Sequence, residues 1–224
     1  MAQERLFTEE KLKELGMRTV DRLEQSIDTG NTEEAKKLAR LMYREFLAMH
    51  DLLIDWIAAL LTFIKKNYGD KELYDALDAS VGAWLEPAAK LYEGQDAKRR
   101  LKLAAGGMRG HLQPIKIIED DEKFIIMMEP CGSGGRLILD NKYEPPAGFA
   151  KVKEPQAMTY WRKDCPIYCA HCALQEILSI RWSGVPWMVM IPPDKLGEQP
   201  CQFLLYKDPS KVPDEYCKRF ERKT

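Results

Sequence analysis

Residues 114–131, PIKIIEDDEKFIIMMEPC, decide how the rest of the chain is read. β-Branched and apolar residues stand on both sides of Asp120 and Asp121, which is the pattern of a strand, an acidic turn and a returning strand. Upstream the texture is helical. Asn31 followed by Glu34 has the spacing of a capping box, and no Pro or Gly interrupts the chain from there to Asn67, with Gly69 as the stop. Tyr43, Leu47, His50, Ile54, Ile57, Leu61 and Ile64 recur at steps of three and four and so share one helical face. Further helices are expected over residues 71–81 and 86–105, with Pro87 in a first turn, before Gly106, Gly107 and Gly110 break the pattern. Downstream, GRLILDN reads as a strand, residues 142–156 as a loop, and residues 166–182 as a helix. PWMVMIP and CQFLLYKD read as two closing strands, and the charged tail after Pro209 as peripheral. Helices first and strands later is an α+β arrangement: a helical N-terminal half packed with a C-terminal antiparallel sheet and a cysteine-bearing helix. The expected layout is a helical region, 1–110, and an α+β ligand- or metal-binding region, 111–224, in one domain.

Composition narrows the function classes. The chain has 224 residues, with 34 basic and 35 acidic side chains, and no basic run interleaved with aromatics. A nucleic-acid partner is therefore not expected. The N-terminus is charged from its fourth residue and lacks the apolar stretch of a secretory signal, so a cytoplasmic location is expected. Thiols there are kept reduced, and clustered cysteines point to metal binding or reactivity. The apolar run 52–64 is too short for a bilayer, so no membrane partner is expected. A homodimer is left open.

Three of the chain's six cysteines and one of its three histidines fall in residues 164–176, DCPIYCAHCALQE. On a regular helix starting at Pro166, Cys165, Cys169 and Cys172 lie within about 60° of one another, and Glu176 continues their stripe. Ile167, Leu174, Ile177 and Leu178 take the opposite half, so the thiols are not needed to seat the helix. A helix start favours anions, which predicts lowered pKa values at Cys165 and Cys169. The competing reading treats these thiols as small buried hydrophobes. Cys131 opens the turn Gly132-Ser133-Gly134-Gly135, where Gly132, Gly134 and Gly135 admit a close-lying ligand and Arg136 adds a donor for a carboxylate or phosphate.

Cys131, Cys165, Cys169 and Cys172 together make a ligand set for an iron–sulfur cluster or zinc. The C-x3-C-x2-C spacing matches radical SAM enzymes, but too little chain follows Cys172 for their barrel. His171 points about 200° from its cysteine neighbours on a regular helix and is a poor co-ligand. His50 reads as a core histidine or, second, as an acid/base at a pocket wall. The expected function is a hydrolase- or lyase-like metalloenzyme acting on a small anionic molecule, with Glu176 moving protons. A metal-free variant uses a cysteine such as Cys131 as nucleophile and Glu176 as its base. A non-catalytic sensor or carrier is the alternative, and structural zinc a third reading.

IKIIEDDEKFIIMMEPC, the cysteine-bearing helix and above all GEQPCQFLLY, residues 197–206, resemble the L-2-amino-thiazoline-4-carboxylic acid hydrolase-like family and the related four-vinyl-reductase type small-molecule-binding domains. The likeness covers roughly residues 113–207. It implies helices packed on an antiparallel sheet with a ligand pocket between them, in proteins that are hydrolases of small cyclic thio-amino acids, sensors or assembly factors. Only Cys201 and its surroundings carry over, as a structural or pocket-lining position. CPIYCAHC lies outside the family's pattern and marks a metal-bearing branch.

Overall fold

The computed structural model describes residues 6–221. The chain divides into two compact units, Met1–Leu52 and Leu53–Thr224, with the boundary inside one long helix. The first unit holds α1 (Glu9–Gly16), α2 (Thr19–Asp28) and the start of α3 (Thr32–Tyr68). Thr8 caps α1 by accepting from the Lys11 N–H at 3.1 Å, and Asn31 caps α3 by accepting from the Glu34 N–H at 3.2 Å. Thr19 donates to Glu45 at 2.7 Å and ties α2 to α3.

In the second unit α3 is followed by α4 (Asp70–Tyr92) and α5 (Ala97–Arg109). Gly69 makes the first turn at φ 107°, a backbone that side-chain-bearing residues avoid. The helix expected to end near Val81 continues through Pro87. Its apolar residues explain this: Leu73, Leu77, Val81 and Leu85 keep the three-four spacing and are all buried in one core cluster. The true break is Gly94, at φ 66°, followed by Asp96, which caps α5 by accepting from the Arg99 N–H at 2.7 Å.

The remaining elements are β1 (Ile115–Glu119), β2 (Lys123–Met128), α6 (Gly134–Leu139), β3 (Lys151–Val152), β4 (Cys165–Pro166), α7 (Ala170–Ser183), β5 (Val189–Ile191), β6 (Cys201–Tyr206) and α8 (Asp214–Lys218). The main sheet has the order β1-β2-β6-β5, every pair antiparallel, and β3 pairs with β4 separately. The fold is α+β. GRLILDN, expected as a strand, is α6. β2 already has β1 on one edge and β6 on the other, so the chain leaving it finds no free edge and turns out of the sheet. Leu137 of α6 is then buried against Ile54 and Ala58 of α3.

Ile126 and Met128 of β2 and Phe203 of β6 pack under Ala104 and Met108 of α5, while Leu174 and Leu178 of α7 join the α4 cluster. α3 is long and apolar enough to cross a membrane by length and composition alone, which residues 52–64 are not. Its second half buries Ile54, Ala58 and Leu61, and its Asp55 accepts from Lys142 at 2.6 Å, while Trp56, Leu60 and Phe63 stay 53–67% exposed and only 22% of the apolar stretch is buried. The tail is not peripheral. Val212, next to α8, is buried, and Tyr216 and Cys217 pack against the same cluster as Val189 and Leu204.

Candidate functional site

Five of the six cysteines line one cavity of about 50 Å3: Cys131, Cys165, Cys169, Cys172 and Cys201. They arrive from separate parts of the fold. Cys131 sits in the turn between β2 and α6, Cys165 on β4, Cys169 in a 3-10 turn, Cys172 in the first turn of α7, and Cys201 at the start of β6. The register Met128↔Cys201 sets β6's first residue beside the end of β2, three residues before Cys131.

The expected single helical stripe is therefore corrected. Cys165 is extended and paired opposite Val152, residues 167–169 form a 3-10 turn, and the α-helix proper begins at Ala170. The thiols reach a common cavity through this change of backbone, not through helical spacing. Asp164 caps no helix; it sits at φ 52°, and its N–H donates to the Lys153 carbonyl at 3.2 Å. Tyr160 and Trp161 are also left-handed, at φ 53° and 60°. Three such non-glycine residues on the approach to the cavity store backbone strain next to the site.

The lowered thiol pKa values expected from a helix start are overturned as well. Burial pushes Cys165 up to about 11 and Cys201 up to about 12. It pushes Cys169 and Cys172 well above the ordinary thiol range, with the neighbouring sulfurs adding to the effect. Desolvation outweighs the end of one helix because every thiolate would face others across the same apolar space.

The glycines have different duties. Gly134 and Gly135 line the cavity. A Cβ on Gly134 would stand 2.9 Å from the Cys169 sulfur, and one on Gly135 3.2 Å from the Cys131 Cβ. Gly132 lies off the cavity, and a Cβ there would fall 1.6 Å from Gln113 Oε1 and 2.2 Å from the His111 carbonyl oxygen. Gly132→Ala should therefore lower stability by about 1–3 kcal/mol or more, because backbone has to move. A urea titration checks it: unchanged stability would mean that the turn is loose.

Arg136 is off the cavity wall too, and its guanidinium donates to the His111 carbonyl at 3.3 Å. The cationic grip expected of it is thus spent on the turn before β1. Arg162 does line the cavity, but its guanidinium donates to the carbonyls of Pro193 and Asp194 at 2.6 and 2.8 Å. His50 belongs to the first unit, where its Nδ1 lies 3.0 Å from Asp51 Oδ1, and it is not among the lining residues.

His171 is the opposite correction: it lines the cavity. Its Nδ1 donates to the Tyr168 carbonyl, which can only accept, so Nε2 carries the lone pair. The Cys172 thiol, 3.6 Å away, donates to that nitrogen. Burial holds the imidazole below its ordinary pKa, and hence neutral.

Glu176 is buried at 1% exposure and is not on the cavity wall. It accepts from the Met190 N–H at 2.9 Å and is ion-paired with Arg219, which follows α8 and also donates to the Met190 carbonyl at 2.9 Å. Burial pushes Glu176 up to about 7 even so, against the pull of Arg219. Its polar surroundings are this arginine and the Met190 backbone, not the cysteine cavity. Tyr160 bridges the two regions. It lines the cysteine cavity, stacks under the Arg219 guanidinium at 4.8 Å, and its buried hydroxyl has no hydrogen-bond partner among the described residues.

A chamber of about 830 Å3 adjoins the cysteine cavity and shares Cys131, His171, Cys172 and Phe203 with it. Its other walls are mainly the apolar faces of α3, α4 and α5. Arg219, His171 and this chamber are what sequence reasoning missed as parts of the site. Cys201, expected as a structural or pocket-lining position from GEQPCQFLLY, does line the cavity. No protein family, curated protein or solved structure matches the chain.

Proposed function

We propose that the chain is an iron–sulfur enzyme acting on a small molecule, with Cys131, Cys165, Cys169 and Cys172 as the cluster's ligands. The observation that carries this reading is the meeting of five thiols, from separate elements, on one small cavity. Zinc is the competing occupant of the same thiols. Among the described residues, no three His, Cys, Asp or Glu side chains are grouped so as to hold a metal ion, so either metal would have to draw the thiols together on binding. The Tyr160 hydroxyl, buried without a partner among the described residues on a residue that lines the cysteine cavity, is a donor that a bound cluster's sulfurs could satisfy.

A cluster held by these four cysteines would supply one-electron chemistry when bound. The chain's own residues would do the rest. His171 Nε2 takes or returns a proton at the wall shared by cavity and chamber. Glu176, held by Arg219, fixes the packing of α7 and β5 behind the thiols. The shared wall favours an enzyme over a closed structural metal, because a molecule in the chamber reaches Cys131 and Cys172. Membership in the thiazoline-carboxylate hydrolase-like family and a reducing cytoplasmic location belong to the same proposal; six free cysteines support the latter.

Anaerobic purification followed by iron, zinc and sulfide analysis tests it. Iron and acid-labile sulfide in equal amounts, with a broad visible absorption that bleaches on reduction, is the expected result. A colourless chain that takes up neither iron nor sulfide on reconstitution refutes it. Stoichiometric zinc would replace it with a structural metal.

A further inference from the structure

The chamber beside the cysteines has a chemistry of its own. No Asp, Glu, Lys or Arg is among its lining residues. Its outer rim is apolar and open to solvent at Ile57, Leu60, Trp84 and Leu91, which are 44–60% exposed. Apart from Ser80, Tyr92, Gln175 and the two tryptophans, its polar side chains gather in one cluster at the cysteine wall. Ser133, 1% exposed, has its Oγ 2.6 Å from His111 Nδ1 and is also hydrogen-bonded to the Tyr168 hydroxyl. The Tyr168 ring meets the His171 ring edge-on at 4.8 Å, and His171 meets Cys172. The chamber therefore runs from an apolar mouth to a polar floor at the cysteine wall.

We infer that the chamber binds an uncharged, elongated apolar molecule with a single hydroxyl or carbonyl head, the head lying at Ser133, Tyr168 and His171. Charge decides the class. An ionised head on this floor would leave water with no opposite charge to meet it, whereas a neutral head exchanges its water for hydroxyl and imidazole partners. His171 Nε2 is met by the Cys172 thiol, a weak donor that a ligand hydroxyl can displace, and a hydroxyl of the Ser133–Tyr168 pair can turn to a carbonyl. Volume decides the length, since the chamber lies within the range of drug-sized ligand sites and its walls reward apolar burial along their whole extent. The anionic substrate expected from Arg136 is replaced by a neutral one. As a statement about substrate this deepens and rests on the iron–sulfur proposal, but as a statement about binding it stands without the metal.

Trp84 and Trp187 line the chamber and report on it by fluorescence. The full chain, metal-free and separately after reconstitution with iron and sulfide, is titrated with decan-1-ol, decan-2-one, decane, decanoate and decylammonium. Saturable binding of the alcohol and ketone in both forms is expected, with the two ions weaker by at least about tenfold. Ser133→Ala should weaken the alcohol or ketone by about tenfold and leave decane unchanged. Gly107→Phe is the blocking variant. It lies on α5 in the chamber wall, where an added Cβ meets nothing within 4 Å, so the ring narrows the chamber mouth without a clash at its Cβ. It should weaken binding by at least about tenfold while leaving the circular dichroism and melting curve as they were.

Decanoate binding as tightly as decanol, or undiminished binding by a folded Gly107→Phe chain, overturns the inference, as does the absence of any saturable signal. Binding by the metal-free chain, with no cluster assembling on reconstitution, would sink the iron–sulfur reading and leave this one standing.

Discussion

Replacing Arg219 by methionine should lower the free energy of unfolding by about 3–5 kcal/mol, the usual result of removing one partner of a buried ion pair. Methionine keeps the apolar bulk that stacks on Tyr160, but the Glu176 carboxylate then sits at 1% exposure with only the Met190 N–H to meet it. Glu176→Gln in the same chain should recover most of the loss, since a neutral amide still accepts from that N–H. A double-mutant cycle by chemical denaturation measures this. A single-variant loss below about 1 kcal/mol would place the pair among ordinary surface bridges.

The effect has a direction in pH. Glu176 is raised from 4.5 to about 7 by burial, so its folded form holds a proton that the unfolded chain has already released. The stability it contributes is complete below its unfolded pKa and is lost as pH rises through its folded value, a change on the order of 3 kcal/mol. Glu176→Gln should flatten that slope. Arg219→Met should be costlier at mildly alkaline pH than at acid pH, where the carboxyl is neutral in both states. An equal cost at both ends would mean that Glu176 stays ionised throughout.

The partners in this pair show what a sequence can and cannot say. Strands at residues 115–128 and 201–206 and the long α3 are legible because their apolar periodicity is the same thing as their burial. Glu176 reads from the sequence as a proton carrier on the cysteine stripe, and nothing near it in the sequence accounts for its burial. Its answer lies 43 residues downstream in a tail whose charge pattern looks like solvent-facing surface, and no local signal joins the two. α6 was misread for a similar reason. LIL suits a strand, but whether a strand can form there depends on which edges of β2 are already taken, and that is a property of the sheet.

The cysteines are an intermediate case. Their grouping was legible from C-x3-C-x2-C, yet the assumed regular helix turned His171 away from them. A strand residue and a 3-10 turn ahead of α7 undo that geometry and bring His171 to the cavity. Cys201 needed the pairing of β6 with β2 to be seen beside Cys131.

Single alanine substitutions at Cys131, Cys165, Cys169 and Cys172 should each cut iron retained through desalting by at least about tenfold, since losing a ligand costs more than losing an outer-shell partner. Cys217, packed beside α8, is the internal control, and Cys217→Ala should load like the parent chain. Cys201→Ala discriminates further. With four ligands assigned elsewhere, Cys201 is a fifth thiol at the same cavity, so its loss should leave iron content intact while altering the visible spectrum or the reduction potential. If Cys201→Ala empties the site and Cys165→Ala does not, the ligand set is the other four, and Cys165, the most buried of the five, is a packing residue.

Proton linkage gives a second readout on the same series. The thiols of Cys165, Cys169, Cys172 and Cys201 are all raised by burial, so assembly displaces protons, and iron affinity should climb steadily with pH through the neutral range. The climb should be shallower in any variant that has lost a true ligand and unchanged in Cys217→Ala. Iron uptake indifferent to both pH and the cysteine series would mean that the metal sits elsewhere, and the meeting of five thiols would then be a matter of packing alone.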